Sequence, residues 1–265
     1  MIHPGVCSLT LGQLPPAEVV ALCKETGLTH IEWWGRDNGH VPMGDVATAA
    51  SVGEMTREAG LTISTYGSYY GVGESEAEGL AFDAVLKTAV ALGAPAIRVW
   101  AGTKGTDTVT PEQHKAVIDD AMRIADLCGD ACVELVLEYH QGTLTDSNAS
   151  AVALADALQH PAIAFGWQAR TGVPIAENVA GLKGLLPRLG TLHVFNWTKD
   201  DAGNYLRQPL GEAMDEWRGY FDLVASTGRD HVALLEFVQG NSVKQFKSDA
   251  ETLRRLVALL ETDEL

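Results

Sequence analysis

The chain has 265 residues, 46% of them hydrophobic, and sets 35 acidic against 19 basic side chains for a formal charge of −16. That length fits one α/β barrel, which typically needs about 250 residues, or two small domains. The acidity speaks against nucleic acid or an anionic membrane as partner, since both call for a basic surface, and no apolar run approaches the ~18 residues of a membrane span.

Eight short apolar runs read as strands: GVCSLTL (5–11), THIEWW (29–34), LTISTYG (61–67), AIRVWAG (96–102), VELVLEY (133–139), IAFGWQ (163–168), TLHVFNW (191–197) and HVALLEFV (231–238). They are rich in β-branched and aromatic residues and lack strict alternation, as strands buried on both faces do. Helical patterns lie between them. PAEVVALCKETG, DAVLKTAVALG, HKAVIDDAMRIADL and SAVALADALQ repeat apolar residues at three- and four-residue intervals. Gly27, Gly60, Gly93 and Gly190, each just before a strand, are expected to be left-handed helix caps. Repeated βα units imply a parallel sheet with right-handed crossovers, and eight of them fit a closed barrel better than an open sheet. No GxGxxG or GxxxxGK[ST] turn marks an open nucleotide-binding sheet, and no linker divides the chain. The expected fold is a (β/α)₈ TIM barrel, one domain over residues 1–265.

The loops after strands, 35–45, 68–79 and 198–217, are long, polar and sprinkled with aromatics; those before strands are terse. In a barrel the long ones gather at the C-terminal face, where active sites are built. Cys7, Cys23, Cys128 and Cys132 form no zinc motif and read as small buried hydrophobes in a reducing compartment. With no basic segment followed by an apolar one at the start, no secretory signal is expected either, and the location expected is cytoplasmic.

Four of the apolar runs end in, or enclose, a side chain able to bind a metal: Glu138, Gln168, His193 and Glu236. A carboxylate or imidazole costs several kcal/mol to desolvate in such a run unless something compensates it. One per strand, they are expected to converge on a single polar centre. Two carboxylates, an imidazole and an amide oxygen suit Mn²⁺, Mg²⁺, Co²⁺ or Zn²⁺. Open positions on that ion would take adjacent oxygens of a polyol or hydroxy-ketone and stabilise an enediolate, while a neighbouring glutamate moved the proton.

Glu32, at the end of the second strand, is expected to contact substrate hydroxyls or to brace the ligating histidine, with Trp33, Trp34 and His40 close by. Trp34, Trp100, Trp167 and Trp197 recur near strand ends, where indole faces stack on sugar rings or pack the core; Trp34 and Trp100 are taken as substrate contacts. His140, two residues past Glu138, is expected to face substrate or support the site. Lys104 reads as a solvated loop lysine, and the single glycine of FVQGNS is a weak phosphate signal, so an unphosphorylated sugar is expected.

The order of Glu, an acid or amide, His and Glu at successive strand ends resembles the xylose isomerase-like TIM-barrel superfamily. LEYHQGTLTD, FGWQ, LHVFNW and LLEFV are similar to one sugar isomerase/epimerase-like branch of it. The resemblance spans nearly the whole chain. It implies Glu138, His193 and Glu236 as metal ligands, and Glu138 and Glu236 as the catalytic proton-transferring pair. Gln168 stands where the family usually has Asp, which removes one negative charge and should weaken the ion's hold. Arg207, in YLRQPLGE, matches an arginine that holds substrate oxygens in epimerase-like members. The implied activity is a metal-dependent isomerase or epimerase of a keto-sugar or related polyol, with a lyase or dehydratase of inosose or 3-keto-glycoside type as the alternative. An endonuclease with three zinc ions would need more strand-end ligands than the chain offers, and a non-catalytic sugar-binding protein is favoured only by Gln168. Members commonly form dimers or tetramers, which leaves a homo-oligomer open.

Overall fold

A computed structural model describes residues 1–262; the last three residues of the expected domain lie outside it. Eight parallel strands close into a barrel. They are β1 (Ile2–Cys7), β2 (His30–Trp34), β3 (Thr62–Gly71), β4 (Ala96–Trp100), β5 (Glu134–Glu138), β6 (Ile163–Gln168), β7 (Leu189–Val194) and β10 (His231–Leu235). The two strands between, β8 (Trp197–Lys199) and β9 (Tyr205–Arg207), form an antiparallel hairpin inside the long loop after β7. Strand neighbours follow chain order around the barrel, and β1 closes it by pairing with β10 from Ile2↔His231 to Val6↔Leu235. This is the (β/α)₈ architecture expected of the alternation.

Helices α1 (Pro16–Thr26), α2 (Val46–Glu58), α3 (Phe82–Leu92), α4 (Pro111–Asp130), α5 (Asn148–Ala157), α6 (Ile175–Leu185), α7 (Met214–Ala225) and α8 (Val243–Thr262) form the outer ring. Local chemistry sets their ends. Thr110 caps α4 in a reciprocal box with Gln113, with Pro111 in the first turn, and Ser147 and Ser150 do the same for α5. Gly27 (φ 70°) and Gly93 (φ 78°) close α1 and α3 in the left-handed region, and Gly60 (φ 77°) follows α2 by one residue. Gly190 does not cap a helix: it lies within β7, after a short 3₁₀ turn at Leu186–Arg188.

Strand ends shift by up to a few residues from the sequence expectation around the barrel, and the C-terminal ends of two strands shift most. Ser8–Leu11, apolar enough to extend the first strand, turns into a 3₁₀ helix instead. The third strand runs on through Ser68–Gly71, and its register with β4 shifts between Gly67 and Gly71, a bulge that leaves Tyr69 at φ 57°. The main core packs between sheet and helices around Trp33, Phe165, Trp167, Trp217, Tyr220 and Phe246. Cys7, Cys23 and Cys128 are buried as expected, whereas Cys132 is exposed, at φ 56° just past α4. A second small cluster, Ala96, Val136 and Ala164, sits two residues before Arg98, Glu138 and Gly166 on the same strand faces. Small apolar residues thus fill the barrel below, and a polar layer sits on top of them.

Candidate active site

That polar layer is the floor of a cavity of about 580 Å³ at the C-terminal ends of the strands. Glu138 is the last residue of β5, His193 the last but one of β7, and Glu236 follows β10 directly, its N–H donating to the Val194 carbonyl at 2.9 Å. One ligand atom from each of the three lies within 4.8 Å of the other two. His193 Nδ1 stands between the carboxylates, 3.3 Å from Glu138 Oε1 and 3.4 Å from Glu236 Oε2. All three side chains are buried, yet Glu138 and Glu236 line the cavity. Two carboxylates and an imidazole nitrogen from three strand ends are a donor set that fits Mn²⁺, Mg²⁺, Co²⁺ or Zn²⁺.

Behind this set lies a buried charge network. Arg98, on β4, gives its Nε to Glu32 Oε1 at 2.9 Å, with Nη2 also 2.9 Å away, and its Nη1 to Glu138 Oε2. Trp100 Nε1 donates to the same Glu138 oxygen at 2.7 Å. Glu32 also receives the Cys7 thiol at 3.3 Å, and its Oε2 lies 3.6 Å from His193 Nε2. A carboxylate beyond the far nitrogen of a ligating histidine is a common arrangement, because it fixes ring orientation.

The network sets the protonation states. Burial would raise the Glu32 carboxyl, but Arg98 and His193 outweigh it and hold it at about 2. Burial opposes ionisation of Glu138 too, and Arg98 with His193 holds its carboxyl well below the usual range. Burial lowers an imidazole's affinity for its proton, yet Glu236 and Glu32, with hydrogen bonds to Glu138 and Glu236, keep His193 protonated well above its ordinary value.

Gln168, at the end of β6 and in register with His193, lines the cavity; its Nε2 donates to the Tyr139 carbonyl at 2.7 Å. His140 lines it as well, stacked on Trp100 with ring centroids 5.0 Å apart. Its Nδ1 lies 2.7 Å from the Gln141 carbonyl, an acceptor, so Nδ1 carries the proton and Nε2 is the open nitrogen. Trp34 and Trp100 are wall residues, as is Trp197, while Trp167 packs away from the site against Trp217 and Tyr220.

Other expected residues stand apart. Glu32 lies inside β2 rather than at its end, is fully buried, and does not line the cavity. Arg98 and Cys7 take its Oε1, while its Oε2 faces His193 Nε2, the bracing position rather than a wall position. His40 is tied to Ser8 Oγ and the Leu14 carbonyl, both at 2.9 Å. Arg207, on β9, stacks on Phe237 at 4.4 Å and donates to Asn241 at the rim, outside the lining. Lys104 is exposed. Sequence reading passed over Arg98, Tyr69 and Arg36. For Arg98 the signal was present: a lone charge inside the apolar run AIRVWAG needs a buried partner.

A sequence profile described as xylose isomerase-like TIM barrel matches residues 20–256. The chain belongs to this family. No curated protein matches it by sequence. Solved structures similar to this family member include the probable 3-DHS dehydratase AsbF of Bacillus anthracis, at TM-score 0.77 and 20% identity over 96% of this chain and 99% of that one. A xylose isomerase-like TIM barrel protein of Mycobacterium smegmatis in complex with magnesium gives 0.72 and 18%, covering 97% of each chain. The D-allulose 3-epimerase of Methylomonas sp. gives 0.67 and 13%, also covering 97% of each. At these identities the likeness is one of fold.

Proposed function

We propose that this xylose isomerase-like barrel is a divalent-metal-dependent isomerase or epimerase of a keto-sugar or related polyol. The observation that carries the reading is the meeting of Glu138, His193 and Glu236 at the cavity floor. Gln168 is the fourth ligand in this reading: its amide nitrogen is fixed on Tyr139, which leaves the carbonyl oxygen as the donor end. A bound divalent ion supplies Lewis-acid polarisation of the substrate carbonyl. Glu236 takes the proton from the adjacent carbon as an enediolate forms. Glu138, ionised in the free protein, takes a proton from a substrate hydroxyl at Oε1 and passes that proton back to the enediolate; this oxygen faces His193 rather than Arg98 and Trp100. His140 offers Nε2 to a substrate hydroxyl, and Trp34 and Trp100 pack against the sugar's C–H face. Arg207, over the lining residues Trp197 and Phe237 at the rim, is the arginine that holds substrate oxygens in this reading.

A lyase or dehydratase on the same floor is the second reading, favoured by one asymmetry. Glu138 is held by Arg98, Trp100 and His193, whereas the contact found at the Glu236 carboxylate is His193. Elimination needs one base; epimerisation through two faces needs two. The similar AsbF structure agrees with this reading in kind.

Incubation of Mn²⁺-loaded protein with a panel of keto-sugars, neutral and acidic, in deuterated water tests both. The expected result is deuterium at the carbon beside the carbonyl, with turnover lowered at least about 100-fold in Glu236→Gln. Product mass separates rearrangement from loss of a leaving group. Turned-over sugar without label would rule out the proton-transfer account.

A further inference from the structure

One cation at the cavity mouth has no acid to answer it. Arg36, in the turn after β2, is exposed and lines the cavity. Its guanidinium lies over the Tyr69 ring at 4.5 Å and over the Trp100 ring at 5.4 Å. Among the described residues no carboxylate pairs with it, in a chain where acids outnumber bases 35 to 19. The other arginine of the lining is paired: Arg170 meets Glu177 at 3.2 Å. Lys199 also has no carboxylate partner among the described residues, but it lies over the single Tyr205 ring at 4.8 Å, and its neighbour in the lining, Asp146, is taken by the Thr106 N–H and hydroxyl. Arg36 is the guanidinium of the lining left unpaired, and of the lining's cations it alone rests on two of the lining's aromatic rings.

The platform beneath it is built at some cost. Tyr69 sits at φ 57° in the β3 bulge, a backbone region that an aromatic residue rarely adopts and that persists where surroundings over-determine it. Placed there, its ring takes Arg98 at 4.6 Å as well as Arg36. A guanidinium held over aromatic rings is oriented in advance, and one with no carboxylate partner keeps N–H groups to bind a carboxylate or phosphate through two parallel hydrogen bonds.

We propose that Arg36 anchors an anionic group on the substrate, so that the compound processed here is an acidic sugar or polyol, bearing a carboxylate or a phosphate, rather than a neutral one. The inference rests on the reading that this cavity is the substrate site. The metal-binding floor then holds the reacting oxygens, and the Arg36 platform holds the charged end.

Calorimetric titration of Mn²⁺-loaded protein with D-glucose, D-glucuronate and D-glucose 6-phosphate tests it, since the three differ in the group at one end. At least one acid should bind about tenfold or more tighter than glucose. Which acid does so separates a carboxylate from a phosphate. The preference should shrink to about twofold in Arg36→Gln, survive in part in Arg36→Lys, and weaken with added salt. Equal affinity across the three probes, no binding by any of them, or a preference unchanged in Arg36→Gln would overturn the anchor. The same titrations after chelation keep the two readings apart. Affinities that ignore the ion count against the metal-dependent function and leave the Arg36 comparison to stand or fall by itself.

Discussion

At Arg98 one guanidinium serves two buried carboxylates inside the barrel, with Glu32 on one side and Glu138 on the other. Removing it would leave Glu32 with only a thiol and a distant imidazole, and Glu138 with Trp100 and His193. Losing one partner of a buried ion pair typically costs about 3–5 kcal/mol, so Arg98→Met should lower unfolding free energy by that amount in urea titrations. Wild-type stability near neutral pH in that variant would show that the network contributes nothing. The sign of the pH effect follows from Glu32, whose carboxyl is lowered from 4.5 to about 2. A lowered acid contributes stability above its unfolded value and loses it as pH falls, so this share is present above pH 4.5 and fades toward pH 2. Of these residues, Glu138, His193 and Glu236 could be read from the sequence because each interrupts or ends an apolar run. Arg98 carries the same mark but is no metal ligand, so a search for ligands passes over it. Arg36 and Tyr69 carry no mark, since only three-dimensional placement distinguishes them from ordinary loop residues.

At the scale of elements, β3 is the strand that shapes the site. Gly67, just before its bulge, faces the ion pair so closely that a Cβ there would lie 2.8 Å from Arg98 Nη2 and 2.9 Å from Glu32 Oε1. Gly67→Ala should therefore displace the pair and cost about 1–3 kcal/mol, the usual price of overpacking, read as a lowered urea midpoint. An unchanged midpoint would mean that the barrel yields there without loss. The strands themselves were legible, because burial on both faces gives unbroken apolar runs. Their ends were not: Ser8–Leu11 is apolar without being extended, and Ser68–Gly71 is extended despite its hydroxyls and glycine. Helix α2 was obscure for another reason. It packs through Ala49, Val52, Gly53 and Thr56, small side chains that make no apolar stripe; a Cβ on Gly53 would lie 2.2 Å from the Leu92 carbonyl oxygen.

At the scale of the molecule, closure of the sheet is what turns separate strand ends into a site. Glu138 and His193 lie on strands separated by β6, and Glu236 follows the strand beside β7, so the C-terminal rim gathers three candidate ligands from distant parts of the chain. The repeat of βα units makes this closure readable in advance, and the convergence of the three side chains follows from it. The hairpin of β8 and β9 does not follow from that repeat, because it is an insertion in one loop. The central claim is that Glu138, His193 and Glu236 hold one divalent ion. His193 is protonated in the ion-free protein, its proton held well above the ordinary imidazole value by the glutamates around it. Binding must expel that proton, so affinity should rise with pH. Calorimetric Mn²⁺ titration in buffers of different ionisation enthalpy measures stoichiometry and proton release together. The account predicts one ion per chain, about one proton released near pH 7, and loss of binding in His193→Ala. Undiminished Mn²⁺ binding in that variant, or no ion bound by the wild type, would contradict it.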